Sequence, residues 1–168
     1  MRLRKAEPRD LPAMMALIND YADRNLLLHR TEQSLRARLG DFTVAEVDGE
    51  FAGCAALTEL GPGLGEVRSL AVREDLSGRG IGRRLVETLL AEAAERGFRE
   101  VLALTRRTSF FQALGFAITR RERFLDKLMV DCQACPLNLC CDETAMVRQP
   151  AAGAVAALSG AAAEGEAR

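Results

Sequence analysis

Seven residues, Ser77-Gly78-Arg79-Gly80-Ile81-Gly82-Arg83, carry the most pointed chemistry in the chain. They lie between an apolar run, Ser69-Leu70-Ala71-Val72, and a long amphipathic stretch that begins at Ile81. A strand that turns directly into a helix presents the first N–H groups of that helix, and with the helix dipole these bind phosphate oxygens. Glycines allow close backbone approach, and Arg79 and Arg83 add positive charge. The turn is too short for a Walker loop and lacks its Gly-Lys-Ser/Thr ending, and a mid-chain position after a hairpin is poor for the opening of a dinucleotide fold. Taken by itself the motif predicts either an anion at a helix start or a tight turn without a ligand.

The elements that position this turn follow from periodicity and punctuation. Met1 to Ala6 reads as an edge strand, and Pro8-Arg9-Asp10 leads into a helix whose Leu11, Met14, Met15, Leu17, Ile18 and Tyr21 recur at helical spacing. Leu26 to Leu28 form an apolar loop, and Thr31 caps a second helix running to about Leu39. Phe42–Val47, a turn at Asp48-Gly49 and a return strand Phe51–Leu57 make a hairpin. Gly61, Pro62, Gly63 and Gly65 read as a loop before a strand from Glu66 to Val72. Ile81 to Gly97 is the clearest helix, with Leu85, Val86, Leu89, Leu90, Ala93 and Ala94 on one face. A strand at Val101–Leu104, a short helix at Thr108–Leu114, and strands at Phe116–Thr119 and Glu143–Val147 complete the order. The class is α/β, with a mixed central sheet flanked by helices. Residues 1–148 form one domain, and the Ala/Gly-rich tail at 149–168 is expected to be disordered, with a weak alanine-rich helix as the alternative.

The chain has 168 residues, 48% of them hydrophobic, and a formal charge of −1, which gives no global field for nucleic acid or an anionic membrane. The polar start Met1 to Asp10 is not a signal peptide, and no apolar stretch is long enough to span a bilayer, so a cytoplasmic location is expected.

In this context the sequence resembles the GCN5-related N-acetyltransferases. Their Arg/Gln-x-x-Gly-x-Gly/Ala pattern is met at Gly80 and Gly82, with Ser77 in place of Arg or Gln, and Phe110-Phe111-Gln112-Ala113-Leu114-Gly115-Phe116 resembles their second signature. The resemblance implies acetyl-CoA as co-substrate. Leu70, Ala71 and Val72 would line its pantetheine arm, and Gly78, Arg79, Gly80, Ile81, Gly82 and Arg83 its pyrophosphate. Phe111, which stands where many members have a tyrosine acid, would pack against it. Further segments are similar to the short bacterial N-acetylglutamate synthases: Leu26-Leu27-Leu28-His29-Arg30, Asp41 to Glu46, Gly65 to Val72, Ala103-Leu104-Thr105, and Asp131 to Met146. This implies transfer of acetyl to the α-amine of L-glutamate, the first step of arginine biosynthesis. The implied partners are small-molecule substrates, without nucleic acid or membrane, and a homodimer is the candidate assembly.

Glutamate is a dianion with one ammonium, and bidentate arginines suit its carboxylates. Arg30 follows the apolar Leu26–Leu28 segment, which would aim it inward beside Leu28, and Arg106 or Arg107 follows a strand at the ligand-binding edge of the sheet. Arg68 and Ser69 complete the expected substrate-binding set, and Glu66 is the candidate base for the amine proton, directly or through water. The alternatives for Arg30 and Glu66 are a surface arginine and a strand-end ion pair, and for Arg68 a structural role. His29, the single histidine, reads as solvated. Cys132, Cys135, Cys140 and Cys141 read first as reduced thiols in a packed loop, then as a zinc site, then as a disulfide. Two other functions stay open: an N-acetyltransferase for another amino acid or amine, and a non-catalytic acyl-CoA sensor or cysteine-based metal module.

Overall fold

Short, nearly continuous apolar runs, closed by turn formers, fold into the central strands of one sheet with helices on both faces. The computed structural model describes residues 1–124 and 141–150. In chain order the elements are β1 (Arg2–Lys5), α1 (Leu11–Asp23), α2 (Glu32–Ala37), β2 (Phe42–Val47), β3 (Glu50–Gly61), β4 (Leu64–Val72), α3 (Ile81–Glu95), β5 (Glu100–Thr105), α4 (Thr108–Gln112), β6 (Ala117–Ile118) and β7 (Thr144–Arg148). The described strands lie in the order β1-β2-β3-β4-β5-β7-β6, and β4 with β5 is the parallel pair among otherwise antiparallel neighbours. This is the expected mixed α/β sheet.

Two cores cover the two faces. On one, the α3 stripe of Leu85, Val86 and Leu89 packs on Ala55, Leu57, Val101 and Ala103. On the other, Leu11, Met14 and Ile18 of α1 and Leu35 of α2 pack on Val44, Cys54 and Ala56. Each such aliphatic side chain stabilises the fold by about 2 kcal/mol when fully buried. Burial pushes the Cys54 thiol up to about 12, so it is an inert core residue. Thr31 caps α2 by accepting from Ser34 N–H, as its position predicts.

The glycine-rich stretch before β4 differs from its reading as a loop. β3 runs on to Gly61 and β4 starts at Leu64, so only Pro62 and Gly63 turn the chain. Gly65 lies inside β4. A Cβ there would stand 2.6 Å from the Phe98 ring, so this glycine makes room for a packed aromatic rather than a turn.

The first strand is tied down by charge. Arg4 makes two bonds to Asp10, at 2.7 and 2.9 Å, and also binds Glu46, with all three side chains nearly buried. The hydrogen-bonded Arg4 guanidinium holds the Asp10 carboxyl below the ordinary aspartate value of 3.8, against the opposing effect of burial. A carboxyl depressed by folding stabilises above its unfolded pKa, and that contribution is lost as pH falls below 3.8 through the folded value. Asp10→Asn is therefore expected to cost about 3 kcal/mol at neutral pH and to flatten the loss of stability on the acid side of that window. Urea unfolding across the pH range measures both.

Among the described residues no helix is long and apolar enough to cross a membrane. The expected tail lies, from residue 151 on, outside the described residues.

Candidate active site

The sheet is opened by a bulge. Cys54 opposes Ala71 and Ala56 opposes Arg68, so the single residue Ala55 of β3 faces two residues of β4, Ser69 and Leu70. Ser69 takes φ +49°, a left-handed conformation that costs a non-glycine residue about 1 kcal/mol. The extra residue shifts the phase of the strand. Val67 packs on the α3 face, and so do Leu70 and Val72. Glu66 and Arg68, flanking Val67, therefore point to the opposite, α1 face. β4 pairs with β5 only from Leu64 to Glu66, opposite Glu100 to Leu102. From there to Val72 the β5-facing edge of β4 has no ladder partner among the described strands.

At the far end of that open edge the chain enters the glycine turn at 77–83, the candidate phosphate turn. Gly78 and Gly80 both have φ +78°, which an L side chain would resist. Gly80 is the N-cap of α3, and no side chain caps that helix among the described residues. The first intrahelical bond runs from Arg84 N–H to Gly80 O, leaving the preceding N–H groups pointing outward. Arg79 and Arg83 are exposed, and Arg83 reaches Glu87 and the Ala113 carbonyl. The Phe110 ring stands 3.6 Å from where a Cβ on Gly82 would be, so it walls the turn. Phe111 is 6% exposed and packs edge-on to Phe110 and Phe116 in the α3 core. An uncapped helix start with nearby cations, continued by an open strand edge, fits a diphosphate followed by a chain of amides.

The α1 face holds the charged groups. Glu66 is 2% exposed and is ion-paired with Arg68 on its own strand. Arg30, in the loop between α1 and α2, is half-buried. Burial chiefly, and then the Arg68 charge, hold its pKa below the ordinary arginine value, while Glu66 acts in the opposite sense. Among the described residues its guanidinium makes no hydrogen bond or ion pair. A cation in that position is matched by an anionic ligand with a carboxylate's fork.

In the apolar segment before Arg30, Leu27 packs against the α1 and α2 core, while Leu26 and Leu28 are exposed, at 46% and 41%. The aiming is done by Asn19 of α1, whose side chain accepts from Arg30 N–H at 2.8 Å and donates to Arg30 O at 3.0 Å. Asn19 was not singled out in the sequence, and neither was Arg38, the α2 C-cap, which also lies close enough to oppose the Arg30 charge. A lone polar residue on an otherwise amphipathic helix gives no signal.

Arg106 is engaged elsewhere. It binds Asp142, lies 3.9 Å from Glu143 and donates 2.9 Å to the Asn25 carbonyl, tying the loop after α1 to the approach to β7. Arg107 is exposed, and its N–H donates to Thr105 Oγ1 at 2.9 Å. His29 is exposed beside Asp23. Of the cysteine cluster, Cys132, Cys135 and Cys140 lie outside the described residues, and Cys141 is a half-buried free thiol. Among the described residues no group of metal-ligating side chains converges.

Comparison with known proteins agrees with this geometry. Residues 6–117 match the model of the Acetyltransferase (GNAT) family. An uncharacterized N-acetyltransferase of Chlorobaculum tepidum is 37% identical over 87% of this chain and 94% of its own length. The amino-acid acetyltransferase of Mycobacterium tuberculosis is 37% identical over 68% of this chain and 67% of its own. Among solved structures, N-acetylglutamate synthase from Neisseria gonorrhoeae, complexed with coenzyme A and N-acetyl-glutamate, superposes with TM-score 0.81 at 27% identity, covering 89% of this chain and 35% of that one. An M. tuberculosis protein in complex with CoA gives TM-score 0.79 at 28% identity over 89% of this chain and 99% of that one. The match over most of the chain, on a fold whose open strand leads into an uncapped glycine turn, makes this chain a member of the GNAT acetyltransferase family and an N-acetyltransferase.

Proposed function

We propose that the protein transfers the acetyl group of acetyl-CoA to the α-amino group of L-glutamate, the step that opens arginine biosynthesis, and that it does so in the cytoplasm. The observation that carries the acceptor is Arg30: a half-buried guanidinium without an acidic partner among the described residues, held beside Arg68 on the face opposite the phosphate turn. The relatives named amino-acid acetyltransferase support the same class of acceptor.

Acetyl-CoA supplies an activated thioester. The diphosphate is held at the start of α3, and the arm follows the edge of β4 toward Leu70. There a main-chain N–H polarises the thioester carbonyl and receives the charge that develops on its oxygen. The amine nitrogen attacks the carbonyl carbon, a C–N bond forms, the C–S bond breaks and the thiolate departs. The proton shed by the amine goes to Glu66, directly or through a water. Phe111 offers no proton to the thiolate, which leaves next to main-chain N–H groups.

One observation favours a second acceptor. Arg106 is taken up by Asp142 and the Asn25 carbonyl, which leaves Arg107 as the remaining candidate for the second carboxylate anchor; a site anchored by Arg30 alone suits an amino acid with a neutral side chain. Thiol release from acetyl-CoA, measured against L-glutamate, L-glutamine, L-aspartate and polyamines, separates the readings. L-glutamate is expected to have the highest kcat/KM, and polyamines, which the arginines repel, are expected to be inert. Turnover of another amine without turnover of L-glutamate would sink the glutamate assignment.

A further inference from the structure

The Tyr21 hydroxyl donates to the main-chain carbonyl of Val72 at 2.8 Å. The direction of that carbonyl is fixed by its neighbours. Arg73 N–H donates to Ala52 O across to β3. The Ala71 carbonyl lies 2.6 Å from where a Cβ on Gly53 would stand, so it too faces β3. Main-chain groups alternate along an extended strand, so the Val72 carbonyl between them faces the other edge. That is the edge left without a strand partner beyond Glu66. A carbonyl shielded from water and unpaired is costly, and Tyr21 covers it.

We propose that Tyr21 is a placeholder for the thioester-bearing arm: before acetyl-CoA binds, its hydroxyl occupies the Val72 carbonyl, and it yields that carbonyl to an amide N–H of the arm. The proposal rests on the reading of the open β4 edge as the seat of acetyl-CoA. The chemistry fits, because the arm carries two secondary amides and can add to a strand edge as a further strand does. The ring itself has little freedom to leave. Arg24 lies over it, 4.7 Å from the centroid, and the same guanidinium binds Asp20 on α1 and Glu74 in the turn after β4. The phenol therefore stays beside the arm when its hydroxyl lets go, and the hydroxyl group is the part that switches partner.

The composition makes the test clean. The chain has one tyrosine and no tryptophan, so its tyrosine emission reports Tyr21 alone. Titration of the wild-type protein with coenzyme A is expected to change that emission saturably, with the midpoint given by calorimetry, and Tyr21→Phe serves as the optical blank. In Tyr21→Phe the competing donor is gone, so coenzyme A should bind about fivefold more tightly, the equivalent of one ordinary hydrogen bond. The variant should melt lower than wild type without ligand, and the gap should narrow at saturating coenzyme A. Unchanged or weaker binding by Tyr21→Phe, or wild-type emission that is silent to coenzyme A while calorimetry reports binding, overturns the proposal. Absence of binding to the wild type would instead overturn the assignment of the β4 edge itself.

Discussion

Arg30→Ala is expected to raise the KM for the amino-acid acceptor by about 100-fold, the upper range for losing a charged hydrogen-bonding partner, and to leave the KM for acetyl-CoA unchanged. The separation follows from placement. Arg30 lies with Glu66 and Arg68 on the α1 face, whereas the phosphate turn and the Phe110 wall belong to the α3 face. Arg30→Lys keeps a charge but loses the planar fork, so it should recover only part of the affinity, to within about tenfold of wild type. Stability supplies an independent readout. Burial and the Arg68 charge both disfavour the Arg30 cation, so its removal should leave the melting temperature unchanged or raise it. A lowered melting temperature with equal KM effects on both substrates would mark Arg30 as a structural residue.

Glu66→Gln is expected to lower kcat by about 10²- to 10⁴-fold, the range for loss of a positioned general base, with small changes in either KM. Glutamine keeps the shape of the side chain and leaves an amide oxygen to accept from Arg68. What it loses is the capacity to take the amine proton. If Glu66 served only to hold Arg68, the result would differ in kind: kcat would stay within a few-fold and the acceptor KM would rise, because Arg68 would lose its orientation. Steady-state kinetics with both substrates varied, alongside thermal unfolding of the variant, distinguishes these outcomes.

Much of the fold was legible because its signals are local. The Asp48-Gly49 hairpin, the Thr31 cap and the apolar stripe of α3 each depend on a handful of neighbouring residues, and each formed where the sequence places it. Gly65 reads as loop in the sequence but lies within β4. Glycine usually signals backbone freedom, and here it is required by a ring 33 positions away in sequence, at Phe98, which occupies the space of its missing side chain. The bulge at Ser69 was equally hidden, since nothing in the type of a serine announces φ +49°.

The sequence by itself determined the family and the glycine turn that we propose seats the phosphates. A strand, a glycine turn and an amphipathic helix are contiguous in the chain, and the left-handed conformations at Gly78 and Gly80 are properties of those residues alone. Only the tertiary structure brought together the residues proposed for the acceptor. Glu66 and Arg68 reach the α1 face because the bulge sets the phase of β4, and Arg30 joins them because Asn19, 11 positions earlier, holds its main chain by both polar groups. Arg106, equal to Arg107 in the sequence, is distinguished from it by an ion pair to Asp142 across 36 positions. Phosphate recognition needs a local backbone shape, which neighbouring residues dictate. Recognition of a small amino acid needs side chains from separate elements, which converge only once the sheet and helices have packed.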